Sequence, residues 1–249
     1  MMTVETELID PPPFDICGLE QVIGTKVNDV NLYKRAFTHK SASRRYNVTD
    51  SFETLEFMGD SVLGFIVTKY LLDRFSNEKE GFLTKTRIKI VKGETLAMIS
   101  KKLNLHKWVL MEEKAMKQGW TRNDNVMEDV FEALVGAIYL DLGLVYAKRF
   151  VIGILENPEF INFDTITVDD NYKGQLMCFC QAHKLTMPIY EVQKYENGMF
   201  TVYVVVNSYI YGYGTAKIKR QAEQVAAYYG LEMLKQSATS GWGHRRTVH

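Results

Sequence analysis

Carboxylates interrupt an otherwise apolar stretch between Phe52 and Phe65. Glu53, Glu56 and Asp60 occur there at helical spacing, and at about 100° per residue they fall within roughly 60° of one another. Carboxylates crowded in this way repel each other, so the pattern favours a neighbouring cation, and a hard divalent ion suits their oxygen atoms. A solvated acidic helix face is the alternative, and this stretch alone leaves it open.

A second apolar helix, predicted over residues 126–142, carries another acidic pair. Asp129 and Glu132 are three residues apart in it. Ala133 and Gly136 are small residues, which keep the acidic side of the helix open and small. Each pair needs a cation, so two such helices favour one shared site between them. The predicted ligands of that site are Glu56, Asp60, Asp129 and Glu132.

Four carboxylates predict a magnesium site with one or two ions. Mg²⁺ prefers hard oxygen ligands and retains bound water, and Mn²⁺ is expected to substitute for it. In phosphodiester hydrolysis such ions lower the pKa of the attacking water and neutralise charge on the leaving oxygen. A site of this kind needs no nucleophilic side chain, so the lack of a Ser/His or Cys/His catalytic pattern is unsurprising. No small-molecule cofactor is expected.

Composition excludes several classes of protein. The 249 residues contain 30 Lys plus Arg and 30 Asp plus Glu, so nucleic-acid binding has to come from local basic patches rather than from net charge. Three cysteines are too few for a disulfide framework, and no Cys/His spacing is typical of a zinc site. The N-terminal segment lacks the pattern of a secretion signal, and no apolar run is long enough to cross a membrane. We therefore expect an intracellular protein of the cytoplasm, with the nucleus left open, and no membrane contact.

The elements that position the acids are predicted to be helices. Two short helices precede the first acidic helix within residues 18–43, and His39, near the end of the second, is interpreted as structural. Asp50 and Glu53 have the spacing of a capping box at the start of the acidic helix, which gives Glu53 a structural alternative. Residues 85–102 are basic and predict a phosphate contact beside the acidic site.

The sequence pattern changes after residue 156. Residues 157–170 have the composition of a linker, and beyond them a helix, three strands and a second helix follow in the order αβββα. The first two strands meet at Asn197-Gly198, a pair typical of a tight hairpin. The predicted organisation is a flexible leader (1–17), an all-α domain (18–156), the linker (157–170), a small α+β domain (171–236) and a flexible tail (237–249).

Several motifs are similar to those of the ribonuclease III family. They are Glu-Thr-Leu-Glu-Phe-Met-Gly-Asp-Ser-Val-Leu-Gly at 53–64, Asp-Val-Phe-Glu-Ala-Leu at 129–134 and, in family order, the segments 36–41, 80–84 and 136–143. The resemblance implies an all-α endonuclease domain that cleaves double-stranded RNA. It also implies site residues: Glu56, Asp60, Asp129 and Glu132 as the catalytic metal ligands, with Glu53 and Glu80 lining the cleavage valley.

Family members act as homodimers that leave 5′-phosphates, 3′-hydroxyls and short 3′ overhangs, and Phe57 gives an independent reason to expect a dimer here. On a helix it projects about 40° from Glu53, on the acidic side and away from the apolar face. A partner subunit would cover an aromatic side chain in that place. Packing under a loop of its own chain is the alternative. Thr54, where many members carry Arg, departs from the family but leaves every expected carboxylate in place.

The αβββα region resembles the double-stranded-RNA-binding domain. Asn171-Tyr172-Lys173 and the segment 219–227 carry that resemblance. It implies RNA contacts from Lys173, Lys217, Lys219 and Arg220, the last three at a helix N-terminus that favours phosphate. Met177 and Cys178 replace polar contacts of the family, and the loop at 196–198 lacks the usual His. We therefore expect weak, salt-sensitive binding, with protein contacts as the alternative.

Two functions compete at this point. The first is a Mg²⁺-dependent endoribonuclease that acts on double-stranded RNA as a homodimer. The second is a non-catalytic scaffold of the same fold that binds or sequesters duplex RNA. The presence of all four carboxylates favours the enzyme.

Overall fold

The structure is a computed structural model that describes residues 13–44 and 50–239. Contacts between residues divide the chain into two units, Met1–Thr167 and Val168–His249. Most of the predicted leader (1–12) and most of the predicted tail (240–249) lie outside the described residues. None of the described helices combines the length and the apolar composition that a membrane span requires.

The described part of the first unit is built from helices, which confirms the expected all-α class. An isolated bridge between Thr38 and Leu110 is the exception, and short 3₁₀ turns connect some of the helices. The helices are α1 (Ile16–Ile23), α2 (Val30–Ala36), α3 (Glu53–Arg74), α4 (Glu80–Val91), α5 (Gly93–Lys102), α6 (Glu113–Lys117), α7 (Asp124–Leu142), α8 (Leu144–Leu155) and α9 (Phe163–Ile166).

Helices α3 and α7 cross at close range because two glycines face each other's backbone. A Cβ atom on Gly59 of α3 would lie 1.7 Å from the carbonyl oxygen of Glu132, and one on Gly136 of α7 would lie 2.2 Å from the carbonyl oxygen of Leu55. Both distances are well below van der Waals contact, so the two helices approach this closely only because neither position has a side chain. The crossing therefore brings the two predicted acidic segments together.

The start of α3 differs from the prediction. Asp50 and Glu53 do not form a capping box, since Phe52 occupies the N-cap position and no side chain caps the helix. Phe52 is 3 % exposed, and its backbone N–H donates to the carbonyl oxygen of Thr38 at 3.0 Å. Burial of this aromatic ring fixes the entry of the chain into α3, and Glu53 is left free for other contacts.

The predicted linker also differs from the structure in its first half. Ile161 is buried in the core of the first unit, and Phe163 opens the short helix α9. The Phe163 ring packs against Phe75 and Tyr70, with ring centroids 5.8 and 5.9 Å apart. These apolar side chains anchor residues that composition alone assigns to a linker, and the division between the units falls after Thr167.

The second unit has the predicted αβββα order. Strands β1, β2 and β3 form one antiparallel sheet in that order, and the β1–β2 turn contains Asn197 and Gly198 with positive φ. The elements are α10 (Tyr172–Ala182), β1 (Ile189–Glu196), β2 (Met199–Val206), β3 (Tyr209–Ala216) and α11 (Lys219–Thr239). Helix α11 runs three residues beyond 236, so the tail predicted from 237 begins as helix.

Both helices of the second unit pack on one face of its sheet. The core contains Leu176 from α10, Val204 from β2 and Leu231 from α11. A Cβ atom on Gly214 of β3 would lie 2.3 Å from the carbonyl oxygen of Ala222, so β3 and α11 lie in close contact. This packing places the start of α11, with its cations, at one end of the sheet.

Candidate active site

The α3–α7 crossing brings the predicted acids into electrostatic contact. The pKa of Glu132 is raised from its ordinary 4.5 to about 8, and burial is the largest cause. The charges of four neighbouring carboxylates account for the rest of the rise: Asp60, Glu128, Glu56 and Asp129. Without a cation, Glu132 therefore holds a proton at neutral pH.

Glu56 and Asp129 have raised pKa values for the same two reasons. Burial is the first cause for each, and the charge of Asp129 is the next for Glu56. Lys40 acts in the opposite direction and lowers the pKa of both carboxyls. Acids from both helices thus destabilise one another's charged forms, and a positive charge at the crossing would relieve the repulsion.

Glu53 lies at the exposed rim of this cluster and is paired. Lys40 Nζ donates to Glu53 Oε1 at 3.2 Å, and Ser51 Oγ donates to Oε2 at 3.1 Å. The hydrogen bond from Lys40, and then that from Ser51, lowers the pKa of Glu53. Its charge in turn raises the pKa of Glu56 and Asp129. Glu53 therefore belongs to the cluster electrostatically, but as its ionised outer member.

Glu80 stands apart from the four acids. It is the first residue of α4, is exposed, and accepts a hydrogen bond from Thr84 Oγ1 at 2.7 Å. Its charge is not among those that shift the pKa values of Glu56, Asp129 and Glu132. The structure thus does not bring Glu80 into the cluster.

Glu128 is a fifth carboxylate at the crossing that the sequence analysis missed. Burial raises its pKa, and its charge raises the pKa values of Glu132, Glu56 and Asp129. A Cβ atom on Gly93 would lie 2.1 Å from Glu128 Oε2, so the missing side chain at the start of α5 makes room for this carboxylate. Its spacing was a usable signal, because Glu128 lies four residues before Glu132 and about 40° from it around the helix.

The donor chemistry of the cluster fits a hard divalent cation, although the side chains do not form a cage. In the described ranges, no group of three or more His, Cys, Asp or Glu side chains is arranged to hold a metal ion. Mutual repulsion favours rotamers that keep the carboxylates apart, and a bound cation would favour the opposite. The acids that share the crossing are oxygen ligands of the kind that Mg²⁺ and Mn²⁺ prefer.

An apolar stripe lies exposed on α3 beside the acids. Phe57 is 77 % exposed, so the alternative that it packs under a loop of its own chain does not hold in the part of the chain that the structure describes. Phe65 and Leu72 are also exposed and fall within about 80° of Phe57 around the helix. We name Phe57, Phe65 and Leu72 the α3 stripe.

The predicted RNA contacts of the second unit separate into two kinds. Lys217, Lys219 and Arg220 are exposed at the start of α11. Lys173 is instead engaged inside the unit, since its Nζ lies 2.5 Å from Glu223 Oε2 and 4.4 Å from the centroid of the Tyr190 ring. The Lys173 charge thus already has an acidic partner and an aromatic one.

Two family profiles match the chain, one in each unit. The profile for Ribonuclease-III-like proteins matches residues 29–157, and the profile for the double-stranded RNA binding motif matches residues 172–234. A putative protein of Paramecium bursaria Chlorella virus 1 is 37 % identical over 220 residues, which cover 87 % of this chain and 78 % of that protein. Ribonuclease 3 of Chlorobium luteolum is 35 % identical over 236 residues, which cover 92 % of this chain and 85 % of that enzyme.

A solved structure resembles the first unit. It is the nuclease domain of ribonuclease III from Campylobacter jejuni, studied for structural flexibility in a region involved in dimer formation. The TM-score is 0.53 at 34 % sequence identity, and the match covers 57 % of this chain and 96 % of that one. The similarity therefore extends from the sequence motifs to the arrangement of the helices.

Proposed function

Since the chain belongs to the ribonuclease III family, we propose that it hydrolyses both strands of double-stranded RNA at the carboxylates of α3 and α7. The observation that carries the proposal is the close crossing at Gly59 and Gly136, which gathers acids from two distant segments and raises the pKa of Glu132 to about 8. A purely structural crossing of two helices has no use for mutually repelling, partly buried acids.

The family is generally dependent on divalent metal, and the acids proposed to hold Mg²⁺, or Mn²⁺ in its place, are Glu56, Asp60, Asp129 and Glu132. When bound, the ion would lower the pKa of water and neutralise negative charge on the leaving oxygen. The carboxylates would hold it, and Glu132 would lose its proton to do so. Hydrolysis forms a bond from the water oxygen to phosphorus and breaks the bond to the 3′ oxygen. The products carry a 5′-phosphate and a 3′-hydroxyl, the latter taking up one proton.

Glu53 and Lys40 are proposed to act at the rim of the site. Lys40 neutralises Glu53 and lowers the pKa values of Glu56 and Asp129, so it limits the repulsion that an RNA phosphate meets on approach. Glu80 remains a proposed residue of the cleavage valley on the strength of the family resemblance alone, since the structure gives it no contact with the cluster.

We propose that two copies of the chain associate through the α3 stripe. Phe57, Phe65 and Leu72 expose apolar side chains on the helix that carries Glu56 and Asp60, and a partner subunit would remove them from water. The Campylobacter relative has a region involved in dimer formation in the corresponding domain. Two acid clusters in one dimer would cut the two strands at staggered positions and leave short 3′ overhangs.

Replacement of Glu132 tests the enzyme. With Mg²⁺, the parent chain is expected to cut a long duplex RNA, and Glu132→Gln is expected to cut at least about 100-fold more slowly while it still binds the duplex. Glu156→Gln, an exposed residue that caps α8, is the matched control and keeps the parent rate. Mapping of product ends measures the overhang, and sedimentation measures the dimer.

Several outcomes of this experiment contradict the proposal. An uncut duplex in the presence of Mg²⁺ and bound parent protein would support the non-catalytic scaffold instead. Cleavage by Glu132→Gln at the parent rate would remove the carboxylates from the mechanism. A monomer that makes single-strand nicks would contradict the dimer alone.

A further inference from the structure

The second unit contains an aromatic cavity that no step above uses. It has a volume of about 720 Å³ and lies between α11 and the start of α10. The side chains that line it include Tyr172, Ile218, Arg220, Val225, Tyr228 and Tyr229. We name this cavity the tyrosine pocket.

The rings of the tyrosine pocket contact one another edge to face. The Tyr172 and Tyr228 centroids are 4.9 Å apart and those of Tyr228 and Tyr229 are 5.2 Å apart, both in T-shaped arrangements. Tyr228 and Tyr229 are 40 % and 55 % exposed. An edge-to-face contact covers one face of only one ring in each pair, so the exposed ring area of Tyr228 and Tyr229 remains open to stacking by a planar ligand.

The pocket is also bordered by positive charge. Arg220 lines it together with one carboxylate, Asp170, and in the described ranges no hydrogen bond or ion pair engages the Arg220 guanidinium. Lys217 and Lys219 are exposed on the same end of α11. Exposed ring faces beside a guanidinium match a nucleotide, whose base stacks on the aromatic ring while its phosphate meets the cation. A peptide partner would satisfy the rings but would not need the three cations.

We propose that the tyrosine pocket binds an unpaired nucleotide of the RNA, next to the duplex contact at the start of α11. Bases inside a duplex are stacked on their neighbours and cannot enter such a pocket, whereas bases of a single-stranded tail can. The proposal rests on the proposed function only in taking RNA as the ligand. A pocket of this kind would give the second unit a higher affinity for duplex ends that carry a single-stranded tail.

Binding to matched duplexes tests the pocket without cleavage. The full chain carrying Glu132→Gln is titrated, with Mg²⁺, with a blunt duplex and with the same duplex extended by a five-nucleotide 3′ tail. Stacking of one base predicts about fivefold or tighter binding of the tailed duplex. Adding Tyr229→Ala is expected to remove that preference, and Tyr229→Phe is expected to keep it. Tyr213→Ala is the matched control, since Tyr213 is 61 % exposed but lies on β3 outside the pocket.

A second measurement does not depend on the folding of any variant at the pocket. A fluorescent adenine analogue at the first unpaired position of the tail is expected to be quenched when the tailed duplex binds a chain with an unaltered pocket, and to stay bright inside the duplex. Equal affinity for both duplexes, or an unquenched tail, would overturn the proposal. The proposal would also be overturned if Tyr213→Ala lost the preference for the tailed duplex as fully as Tyr229→Ala does. It would likewise be overturned if Tyr229→Ala changed the oligomeric state but kept the preference for the tail.

The nuclease proposal and the pocket proposal fail separately. Cleavage of a blunt duplex by the parent chain involves no unpaired base, so it tests the carboxylates alone. Preference for the tail is measured in a chain that is not required to cut. Either result can therefore be negative while the other is positive.

Discussion

The acids at the α3–α7 crossing and the cations at the start of α11 are both charge clusters, but they are built in opposite ways. Glu56, Asp129 and Glu132 are partly buried, and burial together with neighbouring carboxylates raises their pKa values. Gly59 and Gly136 fix the spacing of the helices that carry the acids. The cations Lys217, Lys219 and Arg220 are exposed on one helix end. Substitution of one residue in a partly buried cluster alters the charge state of the others, whereas substitution in an exposed cluster removes only the contact of that residue. Salt screens the exposed cluster more strongly.

The contrast matches the two tasks proposed for the units. Cleavage needs fixed charges in a partly dry site, because electrostatic stabilisation is strong only where groups cannot reorient. Duplex binding needs cations that track phosphates and release counterions, and it tolerates flexible side chains.

Gly59→Ala should have the largest effect. The new methyl group would lie 1.7 Å from the carbonyl oxygen of Glu132, a backbone atom that cannot move aside without a shift of α7. We expect a loss of about 3 kcal/mol in the free energy of unfolding, measured by chemical denaturation, and loss of cleavage because the acids separate. Gly153→Ala is the control. Gly153 lies inside α8 with nothing within 4 Å of a new Cβ, so a gain of up to about 1 kcal/mol is expected there. A stable, active Gly59→Ala would show that close approach does not fix the site.

Sequence reasoning reached the four acids because they satisfy helical spacing in two apolar segments and fit a family motif. It overlooked Glu128, although Glu128 lies four residues before Glu132 on the same face of the helix. The room for its carboxylate comes from the missing side chain at Gly93 in a different helix. The capping box failed because burial of Phe52 decides how the chain enters α3. Local spacing thus predicts what one helix carries, but contacts between helices decide which charges meet.

The second unit shows the same limit. Strand alternation and the Asn197-Gly198 turn predicted the αβββα order, because those signals are local. The pairing of Lys173 with Glu223 joins residues 50 positions apart, and no local pattern indicates it. The linker prediction failed where Phe163 packs on Phe75, since composition does not show which apolar side chain finds a core.

The pH dependence of stability should separate the two clusters next. The folded pKa of Glu132 is about 8, above its ordinary 4.5, so the folded state holds a proton that the unfolded state has lost between those values. Without metal, the free energy of unfolding should therefore fall as pH rises from about 4.5 to about 8. Because Glu132 is only partly buried, solvent screening limits the fall to about 2 kcal/mol. Denaturation in EDTA across this range measures it. Glu132→Gln should flatten the curve, and a parent curve that rises instead would contradict the assigned repulsion.

The smallest effects are expected in the second unit, where the exposed Lys219 can be compared with Lys173, which is paired with Glu223. Lys219→Ala should weaken duplex binding a few-fold and reduce the slope of log affinity against log salt by about 1, because an exposed phosphate contact is lost.

Lys173→Met should leave that salt slope unchanged, since the Lys173 charge is already paired with Glu223, and the Met stem still covers Tyr190. The substitution should instead lower the free energy of unfolding by about 1 kcal/mol, because the Glu223 carboxylate loses its partner. The Glu223 side chain is only 14 % exposed. Adding Glu223→Gln should recover part of that loss. Titrations at several salt concentrations decide between the roles. If Lys173→Met lowers the salt slope as much as Lys219→Ala does, Lys173 contacts an RNA phosphate. An ion pair within the second unit would then not distinguish a structural lysine from one that binds RNA.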